Sequence, residues 1–188
     1  MPLLETTGNS SEAAYGGGVA AVPNYIEDVF STWLGTPENA NTWTVNNGIN
    51  LATYGGMVWT KTRTQAANHC LYDTVRGNGS QGKLLPNLTL AAVSTTGYAT
   101  PLTFNTNGFA LGAFDNVVAY QDSGVSWTFR KAPKFFDVVT FTQSGPATGN
   151  LTVNHSLGSV PGCIIIKYTN VSGVGSDWFV YHRSTASS

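Results

Sequence analysis

The chain has 188 residues, of which only 10% are charged, and its formal net charge is −1. In soluble domains about a quarter of all residues are usually charged. This balance offers no basic surface for nucleic acid or for an anionic membrane, so we expect neither as a partner. The 41% of hydrophobic residues suffice for a core, and the 21 glycines and 8 prolines favour short strands joined by many turns.

No apolar run approaches the roughly 18 residues of a membrane span, and the start Met1–Thr6 lacks the basic and apolar segments of a signal peptide. We therefore expect a protein that is made in a cytosol and stays there or leaves it by lysis. Cys70 and Cys163 allow at most one disulfide. Two small buried thiols in reducing conditions fit that compartment better.

Residues 1–24 contain three consecutive glycines and little that could line a core. Such a segment cannot bury enough apolar surface to offset its ordering entropy. We therefore predict an extended docking arm that another protein or a neighbouring copy holds in place. Its candidate contact residues are the larger apolar side chains of this region: Leu3, Leu4, Tyr15, Val19, Val22 and Tyr25.

Short strand candidates bounded by glycine, asparagine or proline recur about every ten residues along the chain. They are Phe30–Leu34, Thr42–Val45, Gly56–Lys61, His69–Asp73, Lys83–Leu85, Leu88–Ala91, Thr103–Asn105, Gly108–Gly112, Val125–Phe129, Phe136–Phe141, Asn150–Asn154, Cys163–Lys167 and Trp178–His182. The first two predict a hairpin with a long loop. From Tyr25 on, a helical pattern is also present. The whole series predicts an all-β fold, an antiparallel β-sandwich or jelly roll.

An internal repeat connects the first part of the chain with its last part. Trp33 and Phe141 lie 108 positions apart at matching points of two strand patterns, and Lys61 and Lys167, 106 positions apart, each end an apolar strand. The match continues past both lysines. Self-similarity of this kind predicts two copies of one structural unit, and it favours a strand from Phe30 on.

The repeat predicts four regions: the docking arm (1–24), a first sandwich repeat (25–130), a linker (131–134) and the start of a second repeat (135–188). A half-sandwich leaves an apolar face uncovered. We therefore expect the natural chain to continue beyond Ser188, and the alternative is completion of residues 135–188 by another chain. The inter-repeat seam comprises Arg130, Lys131, Pro133 and Lys134. Its charges are expected to keep the joint solvated while the proline stiffens it.

The chain has no local signature of nucleotide binding, zinc or esterase chemistry. His69 and His182 occupy nearly equivalent repeat positions, which we interpret as strand positions at the sandwich edge. Only ten Asp and Glu residues occur, and none form the paired pattern of a glycosidase. We expect no catalytic residue, metal or cofactor. We interpret Lys61 and Lys167 as outward residues that bond to a neighbouring carboxylate or turn.

Tryptophans provide the large rings that could stack on sugars, namely Trp43, Trp59, Trp127 and Trp178. In alternating strands such rings more often fill the core.

Several segments resemble a repeat domain of unknown function from large virion proteins of tailed bacteriophages, especially marine and cyanobacterial phages. They are Asn24–Leu34, Gly56–Lys61, Leu71–Gly77, Ser126–Asp137 and His155–Gly162. The resemblance covers nearly the whole chain and implies concanavalin-A-like sandwich repeats in a tail fibre or similar appendage. The chain departs from lectins of that fold because it has no evident acidic cluster for calcium and manganese.

The resemblance leads us to expect a structural virion protein that is assembled in the host cytoplasm, binds other tail proteins through residues 1–24 and contributes to host attachment. It implies a homo-oligomer, with a trimer as the expectation for fibres, and a host surface glycan as a candidate ligand. One alternative is a decoration protein of the capsid or tail surface without receptor binding. A glycan-degrading depolymerase is a further alternative, which the scarcity of acidic residues disfavours.

Overall fold

The computed structural model describes residues 25–36, 42–77, 82–96, 102–112, 123–143, 150–172 and 176–185. A single helical turn, α1 (Ile26–Val29), leads directly into strand β1 (Phe30–Gly35). The other elements follow in chain order: β2 (Thr42–Asn46), α2 (Leu51–Tyr54), β3 (Gly56–Thr62), β4 (Cys70–Asp73), β5 (Thr103–Asn105), β6 (Gly108–Gly112), β7 (Gly124–Arg130), β8 (Cys163–Ile166) and β9 (Phe179–His182).

The strands form an antiparallel β-sandwich. Sheet A has the order β1-β7-β3-β4, and sheet B has the order β2-β6-β5. A separate two-stranded sheet consists of β8 and β9. The predicted all-β fold class is confirmed.

The core lies between sheets A and B and follows from the alternation along each strand. In sheet B, Trp43 pairs with Leu111 and Val45 pairs with Phe109, and all four side chains are buried. Because successive side chains of a strand point to opposite faces, this spacing directs one apolar face of the sheet inward. Burial of these large side chains contributes roughly 2 kcal/mol for each residue.

Sheet A presents several hydroxyl groups to the same core. Thr60, Ser126 and Thr128 are fully buried on its inner face, where Val58 and Tyr72 supply the apolar surface. Asn47 Nδ2 donates to Thr128 Oγ1 at 2.9 Å. The hydroxyls of Thr60, Ser126 and Tyr72 have no partner in the described part of the chain, so their burial opposes stability.

The hairpin that the sequence predicts between Phe30–Leu34 and Thr42–Val45 is wrong. β1 belongs to sheet A and pairs with β7, whereas β2 belongs to sheet B and pairs with β6. The rings of Trp33 and Trp43 meet edge to face with their centroids 5.0 Å apart. The two strands therefore pack their tryptophans against each other across the core instead of pairing side by side.

Four further segments of the predicted strand series are also not strands. Leu84 and Lys83 form only isolated bridges, with Leu71 and Val93, and residues 88–91 are irregular. Phe136 forms a bridge with Ala132, residues 137–141 lack strand structure, and residues 150–154 are irregular. An extended segment becomes a strand only when a neighbour satisfies its backbone groups. In the sandwich, β7 bonds to the backbone of β1, and β6 bonds to the backbone of β2. No described strand bonds in this way to residues 136–141 or 150–154.

The two cysteines have different environments. Cys70 lies buried in β4, and neither cysteine forms a disulfide. Cys163 is exposed, contrary to the expectation of two buried thiols, because it lies in β8 where every side chain is exposed. The docking arm (1–24) lies outside the described residues, and the predicted region boundaries stay predictions.

Candidate functional site

The main candidate surface is the apolar hairpin, which we define as β8 and β9 (Cys163–Ile166 and Phe179–His182). All eight of its residues are exposed, including Ile165 at 59% and Val180 at 64%. Monomeric proteins rarely expose contiguous apolar surface of this kind outside an interaction site. An isolated two-stranded hairpin is also only marginally stable in water.

The apolar hairpin reproduces the β3–β4 pair residue by residue. Met57 pairs with Asp73 in the first repeat, and Cys163, 106 positions after Met57, pairs with His182, 109 positions after Asp73. The following pairs match in the same register. The two hairpins therefore share their strand pairing as well as their sequence plan.

Hydrogen bonds at the ends of the two hairpins match as well. Thr74 N donates to Gly56 O at 3.0 Å, and the corresponding Arg183 N donates to Gly162 O at 2.9 Å. Lys61 near the end of β3 and Lys167 directly after β8 also behave in the same way. Lys61 Nζ donates to the carbonyl of Gln65, and Lys167 Nζ donates to that of Ser176. Both lysine ammonium groups thus donate to a backbone carbonyl in the loop that follows their strand.

A third match lies in the turn before each β3-type strand. Asn47 Oδ1 accepts a hydrogen bond from Ile49 N at 3.2 Å. His155, 108 positions later, accepts through Nδ1 from Leu157 N, also at 3.2 Å. A side-chain acceptor that bonds to the backbone two residues on is a local turn device. The region of β3 and β4 and the region of the apolar hairpin thus share local structure, although they differ in how far they are buried.

Polar contacts hold the apolar hairpin against the sandwich. Trp178 Nε1 donates to Leu88 O at 3.0 Å, and Ser176 Oγ donates to Thr89 O at 2.7 Å. Ser176 is fully buried there. Burial lowers the pKa of Lys167, and Asp177 partly opposes this shift. Because the contacts come from the loop before β9, both faces of the hairpin stay open.

The inter-repeat seam forms a structured turn. Arg130 lies over the ring of Tyr54, 4.5 Å from the ring centroid, and Lys131 Nζ lies 2.8 Å from Asp137 Oδ1. Pro133 and Lys134 are exposed, and Lys134 N donates to Leu157 O at 2.8 Å. Pro133 and Lys134 are therefore the solvated part of the inter-repeat seam. The side chains of Arg130 and Lys131 instead contact specific partners.

Asp137 has an unusual environment at this turn. Burial by itself would raise its pKa, but the Lys131 ammonium and two hydrogen bonds from Ser156 outweigh burial and lower the pKa to about 2. Ser156 N and Ser156 Oγ each donate to Asp137 Oδ2 at 2.7 Å. A single carboxylate thus connects Lys131, directly after β7, with Ser156.

The outer face of sheet A carries a second group of aromatic side chains. Trp59 and Trp127 pair across β3 and β7 with ring centroids 5.6 Å apart. Trp59 Nε1 donates to His69 Nδ1 at 2.9 Å. Burial, with a smaller effect of Lys61, lowers the pKa of His69. His69 therefore acts as a neutral acceptor in this contact.

The tryptophans differ in their positions. Trp43 fills the core, as the sequence pattern favours, whereas Trp59 and Trp127 alternate with buried residues and point to the opposite face of sheet A. The sequence reasoning did not assign Trp178 its anchoring contact with Leu88. Its position two residues before the Val180–Tyr181 pair of β9 gave no signal of a partner so distant in the chain.

Of the predicted arm contacts, only Tyr25 lies in the described part of the chain, and its side chain is 55% exposed. Leu3, Leu4, Tyr15, Val19 and Val22 lie outside it. Within the described ranges, no three His, Cys, Asp or Glu side chains are grouped closely enough to hold a metal ion. Neither of the short helices there is long and apolar enough to cross a membrane.

The chain was compared with family models, curated proteins and solved structures. A family model described as a domain of unknown function (DUF7483) matches residues 23–188, a range that includes both the sandwich and the apolar hairpin. No curated protein and no solved structure matches the chain.

Proposed function

We propose that this chain, which belongs to the DUF7483 family, is a structural assembly module of a tailed-bacteriophage virion and has no catalytic activity. The observation that carries the assembly role is the apolar hairpin beside a well-packed sandwich. Its strands repeat the pairing of β3 and β4, but its side chains are exposed. A surface of this kind is suited to contact with another protein domain.

The virion role rests on the sequence resemblance described above. The sparse charge supports it, because a surface without a strong field does not select nucleic acid or an anionic membrane. Residues 1–24 anchor the protein to other tail components, and the sandwich projects outward as part of a tail fibre or similar appendage. In a homotrimer, weak contacts with a host surface glycan gain avidity from simultaneous binding.

The first experiment is to locate the protein in particles released by host cells that carry its gene. Immunogold electron microscopy with antibody against the sandwich is expected to label the tail. Label over the whole shell favours the alternative of a surface decoration protein. Absence of the protein from purified particles, measured by mass spectrometry, contradicts the virion role.

The second experiment tests the arm. A variant that lacks residues 1–24 is expected to fold, measured by circular dichroism, and to be lost from particles. A matched variant with residues 1–24 intact and Val160→Ala, a change at a side chain that is 89% exposed, is expected to be incorporated. Normal incorporation of the truncated chain contradicts the anchoring role.

A further inference from the structure

The strand that corresponds to β8 in the first repeat has two neighbours. β3 pairs with β4 on one edge and with β7 on the other. β8 pairs with β9 in the same register as β3 with β4, and the sheet contains these two strands only within the described residues. The edge of β8 that corresponds to the β7 side of β3 is therefore open in this part of the chain.

The backbone groups on that edge can be identified from the pairing. Gly162 O accepts from Arg183 N on the β9 side. Because backbone groups alternate in direction along an antiparallel strand, those of Cys163 and Ile165 point away from β9. In the first repeat the equivalent groups of Met57 and Trp59 face β7. The open edge thus presents the same donors and acceptors that β7 uses.

A second observation points to the same strand. β1 pairs with β7 alone. Val138, 108 positions after Phe30, begins the segment that corresponds to β1, yet residues 137–143 have no strand structure. In sheet A, β7 lies between β1 and β3. One strand of the β7 type would therefore satisfy both the open edge of β8 and residues 138–143.

We propose that the open edge of β8 binds an antiparallel strand of the β7 type, supplied by a segment of this domain family whose β7-type strand has no β1- or β3-type partner of its own. The β3–β7 interface of this chain is the template: β7 places Gly124, Ser126 and Thr128 inward and Val125, Trp127 and Phe129 outward. The partner is thus a strand that alternates small and bulky residues. Strand addition of this type combines backbone hydrogen bonds with side-chain selection.

An intact second copy of this chain does not provide that strand through its own β7. There β7 is paired on both edges, with β1 and with β3. The inference deepens the proposed assembly function and rests on it in naming the partner. Its test uses the purified chain without particles, so its failure is distinguishable from failure of the virion role.

The probe is a fluorescein-labelled peptide with the sequence of residues 123–131, which spans the residues that pair with β3 from Gly56 to Thr62. We expect the fluorescence anisotropy of the peptide to rise and saturate as the 188-residue chain is added up to about 1 mM. Hydrogen exchange should slow at Cys163 and Ile165 and in residues 138–143. A peptide of the same composition in scrambled order is expected not to bind.

The decisive variant is Ile165→Pro, which removes the N–H directed to the open edge and leaves the bonds of Ile164 and Ile166 to β9 in place. We expect the peptide to bind at least about tenfold more weakly, the equivalent of one or two backbone hydrogen bonds. Ile165→Val is the matched control and should bind as the natural chain does. Circular dichroism and the exchange rate of Ile164 verify that the hairpin persists in both variants.

Three outcomes overturn the proposal. The first is that the peptide does not bind up to the highest concentration of the chain. The second is that Ile165→Pro does not weaken binding. The third is that dimerisation of the chain protects the same amides when no peptide is present. In the third case the edge is filled by β8 of a second copy, which analytical ultracentrifugation detects.

Discussion

Lys131 and Asp137 form the ion pair that closes the turn at the inter-repeat seam, with Nζ and Oδ1 2.8 Å apart. Residues 131 and 137 enclose a turn in which Ala132 N also bonds to Phe136 O at 2.9 Å. The Asp137 side chain is only 4% exposed, whereas that of Lys131 is 27% exposed. The pair thus fixes the direction in which the chain leaves the first sandwich.

This pair predicts acid sensitivity. The pKa of Asp137 in the folded protein is lowered to about 2 from 3.8, so the unfolded state binds the proton more tightly. The stabilisation is therefore complete above about pH 4 and is lost as pH falls through about 2. We expect a loss of about 1–2 kcal/mol, allowing for the partial solvation of Lys131.

Urea unfolding between pH 5 and pH 2 checks this prediction. Asp137→Asn should be less stable than the natural chain at pH 5 and should converge with it near pH 2. Glu27→Gln, at an exposed position, is the matched control and should follow the natural chain. An Asp137→Asn variant whose deficit persists unchanged to pH 2 contradicts the assigned role of the carboxylate.

The hydroxyl groups of the core predict opposite effects for two similar substitutions. Thr60 Oγ1 is buried without a partner in the described residues, so Thr60→Val should raise stability by about 1 kcal/mol. Thr128 Oγ1 accepts from Asn47 Nδ2, so Thr128→Val should lower stability by about 1 kcal/mol because a half-buried donor loses its partner. Thermal unfolding of both variants measures the difference, and equal effects in one direction contradict the assignment.

The contact between Trp59 and His69 predicts a low histidine pKa. Burial and Lys61 both disfavour the charged ring, so His69 should titrate below 6.5 in an NMR pH series. Its contribution to stability is complete above the unfolded pKa and is lost as pH falls through the folded one. Lys61→Met should raise this pKa only in part, since burial is the larger cause.

The signal is assigned by its absence in His69→Gln. Lys134→Met, which removes an exposed charge at the inter-repeat seam, is the control and should leave the titration unchanged. A His69 signal at or above its ordinary pKa contradicts the acceptor role towards Trp59.

Gly56 predicts a steric requirement at the start of β3. A Cβ there would lie 2.1 Å from Phe129 O and 2.7 Å from Leu51 Cδ2. Because backbone atoms of β7 cannot move independently, Gly56→Ala should cost about 3 kcal/mol or more. Gly48→Ala is the comparison, since φ is +83° there and no atom lies within 4 Å of the added Cβ. It should cost about 1–2 kcal/mol, and equal losses in urea unfolding contradict the steric explanation.

The sequence by itself determined the fold class and the plan of the two matching hairpins, β3–β4 and β8–β9. Alternation identifies β3 and β7, and the correspondence of Lys61 with Lys167 predicts two hairpins of one kind. The matched register of Met57–Asp73 and Cys163–His182 agrees with that correspondence. These features depend on neighbouring residues, which the sequence contains directly.

Only the tertiary structure decided which strand candidates become strands and which faces are buried. Phe30 begins a strand because β7 pairs with it, whereas Val138, at the equivalent position, has no strand partner among the described residues. Likewise Trp43 is buried and Trp59 is not, because the sandwich covers only one face of sheet A. Backbone pairing and burial depend on which distant segment lies alongside, and a strand's own residues do not contain that information.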